Sequence, residues 1–159
     1  MSQQQESIDK LVSAYGGPSQ SAFGSAVFHE KLPTDTDLTQ AALGRYRYFT
    51  GKLWEQYGEA AWMAPWKEVY VRDTSCKPDI VTELGNITDR DARLSIPMIL
   101  DTIENADAAK TALSGVFDDA SVTELRVFTI GDGAAMSGIL IAALRSVSGE
   151  ATCLVFLMD

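Results

Sequence analysis

Histidine occurs once and cysteine twice in this sequence of 159 residues. A site built from several histidines within one chain is thereby excluded, and any imidazole acid-base or zinc chemistry has to use His29. Cys76 and Cys153 stand far apart with no CxxC spacing and no neighbouring histidine cluster, far below the density of a disulfide scaffold, so both read as reduced thiols. Bases are scarce as well. The 13 Lys and Arg face 22 Asp and Glu, a formal charge of -9, which argues against nucleic acid and against anionic lipid as partners. No apolar run approaches the roughly 18 residues of a membrane span, and MSQQQESIDK lacks the basic patch and apolar segment of a secretory signal. No membrane is expected as a partner, and the cytoplasm is the expected location. GxSxG, P-loop and dinucleotide patterns, internal repeats and low-complexity tracts are all missing, so no catalytic motif, no metal site and no cofactor is indicated, and the balance leans away from an enzyme.

What is present belongs to an ordinary globular chain, 46% hydrophobic and 22% charged, long enough for one domain over 1–159. Ile8, Leu11, Val12 and Tyr15 form one helical stripe, which Gly16-Gly17-Pro18 ends. Residues 16–36 are rich in Gly, Ser, Pro and Thr and read as a long ordered loop, with Ala26-Val27-Phe28 as a short strand at most. Asp37 with Gln40 resembles a capping box, opening the longest helix, about 37–58. Gly44, Gly51 and Gly58 recur within it every seven residues, either because that side is packed closely or because the helix breaks there. Trp66 to Arg72 alternates as a strand near a sheet edge, with Val69 and Val71 on one face and Trp66, Glu68, Tyr70 and Arg72 on the other. The stretch 73–87 reads as loop or short strand. Ser95 as a cap would put Pro97 in a first turn, giving helices at 95–104 and 106–116, the second capped by Asn105.

From Thr123 the period changes to that of strands. Residues 123–130, 138–145 and 151–158 form an antiparallel meander with 138–145 in its middle. The last two strands are apolar on both faces, so both faces need covering, by helices on one side and by a subunit partner, the 16–36 loop or an enclosed pocket on the other. Strand 151–158 is expected to pair on both sides, with 138–145 and with 66–72 or a symmetry mate. The fold class is therefore α+β, with helices packed on a mainly antiparallel sheet of four or five strands that ends in a C-terminal three-stranded meander.

Eight of the 14 aromatic residues, all three tryptophans included, lie between 46 and 70. Tyr46, Phe49, Leu53 and Tyr57 fit a core stripe, whereas Tyr48, Trp54 and Trp62 depart from it and are candidates for an interaction surface. Residues 40–72 hold five bases and three acids, but 73–132 hold five bases and twelve acids. This basic aromatic stretch suits a small anionic or aromatic ligand or an acidic partner. The leading function is a non-catalytic binding or regulatory domain that acts through protein-protein contacts, as a homodimer or with another protein. The alternative is a small-molecule-binding protein or enzyme with an aromatic-lined pocket between sheet and helices. Arg47, Tyr48, Trp54, Trp62, Trp66, Tyr70, Arg72 and His29 are the candidate ligand- or partner-binding residues for either function. The paired acids Asp35/Asp37 and Asp89/Asp91 are explained by helix capping.

Overall fold

The computed structural model describes residues 3–21, 23–33, 35–73, 75, 77–101 and 104–158; Cys76 lies outside them. Among these residues are seven helices and five strands, in the order α1 (Gln3–Tyr15), β1 (Gly24–Lys31), α2 (Leu38–Thr50), α3 (Lys52–Tyr57), α4 (Glu59–Met63), β2 (Lys67–Val71), α5 (Ile80–Gly85), α6 (Arg90–Leu100), α7 (Ala106–Phe117), β3 (Glu124–Gly131), β4 (Ser137–Arg145) and β5 (Glu150–Met158). The strands form one antiparallel sheet in the order β1-β5-β4-β3-β2, with the meander β3-β4-β5 at its centre. No described helix is long and apolar enough to cross a membrane.

Both residue parities of the central strands are apolar, and each meets its own helical layer. Leu125, Val127, Ile139, Ile141, Leu154 and Phe156 pack with residues of α1, α5, α6 and α7. Phe128, Ile130, Leu140, Ala142, Cys153, Val155 and Leu157 pack with residues of α2, α3 and α4. The second face thus needs neither a subunit partner nor the 16–36 loop, because the chain's own helices cover it.

The long helix expected over 37–58 is two helices, α2 and α3, and a third, α4, follows directly after Gly58. Asp37 caps the first as expected, its side chain accepting from the Gln40 amide at 2.7 Å. Gly51 (φ 56) and Gly58 (φ 88) adopt backbone that other residues rarely enter, and they break the helix so that it can fold over the sheet. Gly44 is not a close-packing position, since an added Cβ there would meet nothing within 4 Å.

Three further expectations are corrected. Residues 24–31 are a full strand, not a loop, because β5 supplies eight paired positions that local propensity does not reveal. It is β1, not 66–72, that flanks β5, while β2 pairs with β3 at the opposite edge. A register shift between Glu68 and Tyr70 also splits the face assigned to β2, so Trp66 joins the α2–α4 layer while Val69 and Tyr70 join the other.

The helix expected from Ser95 begins at Arg90, capped by Asp89, whose side chain accepts from the Asp91 and Ala92 amides at 3.0 Å. It carries Pro97 internally, and burial of Ala92, Ile96, Ile99 and Leu100 offsets the one lost hydrogen bond. Asn105 makes no side-chain cap and instead supplies a left-handed residue (φ 58) before α7. Within 73–87, Asp79 caps the short α5 by accepting from the Thr82 amide at 3.3 Å.

Gly138 is where the sheet tolerates least, because a Cβ there would lie 1.8 Å from the Phe156 carbonyl oxygen. Gly138→Ala is expected to lower stability by more than about 4 kcal/mol or to prevent folding, since β4 and β5 would have to separate. Gly44→Ala, in open space on α2, should stabilise by about 0.5 kcal/mol. Urea titration of both variants checks the pair, and comparable effects of the two would contradict this packing.

Candidate functional site

The eight residues singled out from sequence do not converge. Trp54 and Trp62, 6% and 0% exposed, stack at 6.4 Å between ring centroids, and Trp66 stacks on Tyr46 at 5.5 Å and on Phe128 at 4.5 Å. Trp62 Nε1 donates to the Leu53 carbonyl at 2.9 Å. The Tyr46 hydroxyl lies 2.8 Å from the Trp62 carbonyl and 2.7 Å from that of Gly131, and it accepts from the Gly131 amide at 3.0 Å. These rings fill the space where an aromatic-lined pocket was expected and tie α2 and α4 to the end of β3.

Arg47 lies over the Trp54 ring at 5.2 Å and 3.8 Å from Glu59. With Gln20, Ser21, Thr50, Lys52, Leu53 and Glu55 it lines an open depression of about 540 Å³. Tyr48 is 43% exposed, in edge-on contact with Phe28, and lines a smaller depression of about 200 Å³ with Pro18, Phe28, His29, Glu30 and Arg45. Arg45 also pairs with Glu30 and lies over Phe28.

On the opposite face, Tyr70 and Arg72 enter an ionic cluster with Asp118, which the sequence offers as part of the close carboxylate pair Asp118/Asp119, and with Glu83, which it does not mark. Glu83 of α5 receives the Tyr70 hydroxyl at 2.5 Å and Arg72 at 2.8 Å, and Asp118, at the end of α7, receives Arg72 at 2.9 Å. Arg72, 7% exposed, also donates to the Phe117 carbonyl, and the Ile80 amide donates to Asp118. Burial raises Glu83, but the bonds from Arg72 and Tyr70 outweigh it and hold the carboxyl below its usual range. Burial dominates at Asp118, which is raised despite Arg72, with help from the Glu83 and Asp79 charges. This cluster fastens the edge strand β2 to α5 and α7. Within it the Arg72 guanidinium is matched by the Glu83 and Asp118 carboxylates and the Phe117 carbonyl.

His29 sits at the far end of β1. Nδ1 lies 2.7 Å from Thr152 Oγ1 and Nε2 lies 2.7 Å from Glu150 Oε2, so neither ring nitrogen is left for a substrate. Thr152 is fully buried. Comparisons with protein-family models, curated proteins and solved structures gave no match. The site must therefore be read from its own chemistry. Among the described residues no three His, Cys, Asp or Glu side chains are grouped to hold a metal ion. Burial pushes the Cys153 thiol up to about 12, which removes it as a nucleophile.

The outer edge of β1 escaped the sequence reading altogether. The Val27 amide donates away from β5, to the Gly16 carbonyl at 2.9 Å. Strand alternation then turns the amides and carbonyls of His29 and Lys31, and the carbonyl of Val27, to the same outer side. None of these groups has a partner among the described residues. The opposite edge is blunted, since β2 has five residues, an irregular register and the exposed charges Lys67 and Glu68.

Glu83→Gln should cost about 2 kcal/mol, below the usual range for breaking a buried pair because Asp118 still faces Arg72. The folded-state value of Glu83 is lowered, so its contribution is complete above the ordinary carboxylate range and lost as pH falls through the folded value. Asp118 has the opposite sign, because its charge costs stability at neutral pH and that cost fades on acidification. Chemical denaturation across acidic pH should show the variant losing the wild type's steep low-pH fall; an unchanged profile would contradict the role of Glu83.

Proposed function

We propose that this chain is a non-catalytic protein-binding module that recognises an extended strand at the outer edge of β1, and that its partner is a second copy of itself. The carrying observation is the row of unpartnered main-chain groups at residues 27–31 beside the Tyr48-lined depression. Main-chain pairing supplies affinity in such strand addition, and flanking pockets supply selectivity. An antiparallel edge is its own complement about a two-fold axis. The edge is also a place where a chain of charge -9 can meet itself, because Glu30 is neutralised by Arg45 and Lys31 adds a positive charge. A cytoplasmic setting fits the free thiol of Cys153.

The small-molecule alternative draws support from the depression of about 540 Å³ that holds Arg47 and Lys52. Its size suits a small anion. Glu55 on its wall and the engagement of Arg47 by Trp54 and Glu59 weaken it.

Lys31→Pro tests the edge directly. The Lys31 amide points outward, so proline there removes no bond within the sheet and blocks only an added strand. Sedimentation from micromolar concentration upward should show a wild-type dimer and a monomeric variant, the two sharing one melting temperature only at dilutions where the wild type is itself monomeric. A wild type that stays monomeric, or a variant that dimerises equally well, would overturn the proposal.

A further inference from the structure

Arg145 is 2% exposed, yet among the described residues no carboxylate lies within ion-pairing distance of it. Its guanidinium donates instead to Ser121 Oγ at 2.9 Å, the Val116 carbonyl at 3.1 Å and Thr152 Oγ1 at 3.3 Å. A guanidinium can only donate, so both hydroxyl oxygens accept from it, which leaves each hydroxyl its own proton to donate elsewhere. Ser121 donates to Asp119 Oδ1 at 2.5 Å. Thr152 Oγ1 lies 2.7 Å from His29 Nδ1, and when the ring is neutral with Nε2–H facing the Glu150 carboxylate, Nδ1 is the acceptor and Thr152 the donor. The neutral ring then carries its proton on Nε2 and donates it to Glu150 Oε2 at 2.7 Å. With a single proton on the ring, the donor-only guanidinium at the centre and the acceptor-only carboxylates at the ends set the direction of every bond between them.

We propose that His29 is a proton-operated clasp between β1 and β5. In its neutral form it relays Thr152 to Glu150 and holds the strand end; in its protonated form it keeps Glu150, releases Thr152 and loosens β1 from β5 around residues 28–32. A proton on Nδ1 makes the ring a donor at both nitrogens. Thr152 Oγ1 would then face two donors, Arg145 and the imidazolium, while its own hydrogen loses its acceptor. Thr152 is fully buried, so water does not replace that acceptor. The new charge also lies one hydroxyl away from Arg145.

Charged groups on every packed element bear on this balance. Glu150 of β5 is the one carboxylate within ion-pairing distance of the ring among the described residues, and it is accessible enough to draw an imidazolium outward. Lys31, on β1 itself, lies opposite Glu150 in register. Asp119 is occupied by Ser121. The helix α1, against β1, carries Glu6, Asp9 and Lys10, whereas Glu30 and Arg45 pair near Phe28, which packs in the α2–α4 layer. The strand end is closed by the Leu32 amide donating to the Gly149 carbonyl at 2.8 Å. The inference concerns pairing within one chain and holds whether or not β1 takes a partner.

A single histidine makes the test unambiguous. The nitrogen-15 spectrum of the imidazole at alkaline pH should show the tautomer protonated at Nε2. As pH is lowered through the imidazole titration, the amides of Phe28, Glu30 and Leu32 should lose protection by about tenfold or more, relative to amides at the centre of β4 and after correction for intrinsic exchange. His29→Gln should show no such loss over the same range. A tautomer protonated at Nδ1, protection that ignores the titration, or an equal loss in His29→Gln would each overturn the clasp; the tautomer result and the wild-type exchange require no variant to fold.

Discussion

The constraint on which this structure depends is that β3, β4 and β5 are apolar at both residue parities. A sheet built from such strands has no face to give to water, and a single chain of this length has to supply two covering layers. The break of one long apolar segment into α2, α3 and α4 follows from that need, since a straight helix would run off the sheet. Gly51 and Gly58 provide the two corners, and Trp54, Trp62, Trp66 and Tyr46 fill the angle between the pieces and the strands. The aromatic cluster is thus the packing of a folded-back helix.

With both faces covered, polar chemistry is pushed to the periphery of the sheet. The Arg72, Glu83 and Asp118 cluster secures the β2 edge to α5 and α7, and the Arg145, Thr152, His29 and Glu150 chain secures β1 to the centre at the opposite side. Both place a nearly buried arginine among hydroxyls, carbonyls or carboxylates, so that its donors are matched within the fold. Net stability from such clusters is small compared with the apolar burial around them, and their effect is to fix which strand sits where. The outer side of β1 is left as the place where main-chain groups are directed at solvent.

The meander was legible because β-branched and large apolar residues run through 123–130, 138–145 and 151–158, with turn residues between them. The Asp37 cap was legible from its spacing. The first strand was not, because Gly24 to Lys31 carries no alternation and owes its shape to pairing with β5, more than a hundred residues away. The face of Tyr70 was misread because one irregular position in β2 reverses everything after it, and register shifts leave no mark in composition. The extent of α6 was misread because Pro97 signals a helix start locally, whereas burial of its neighbours decides otherwise. Of the candidate binding residues, His29 and Tyr48 border the open edge; the tryptophans were drawn into the core by a fold-back that only the glycine spacing hinted at. Arg145 and Thr152 did leave a trace as polar residues in otherwise apolar strands.

The proposal that this chain pairs with a second copy through the outer edge of β1 is tested most directly by amide exchange measured residue by residue along that strand as protein concentration is raised. The account predicts that Phe28 and Glu30, bonded to β5, are protected throughout, while His29 and Lys31 exchange freely in dilute solution and gain protection as the concentration increases. Fast exchange at His29 and Lys31 at every concentration, or concentration-dependent protection that appears on β2 or on the helices instead, would contradict it.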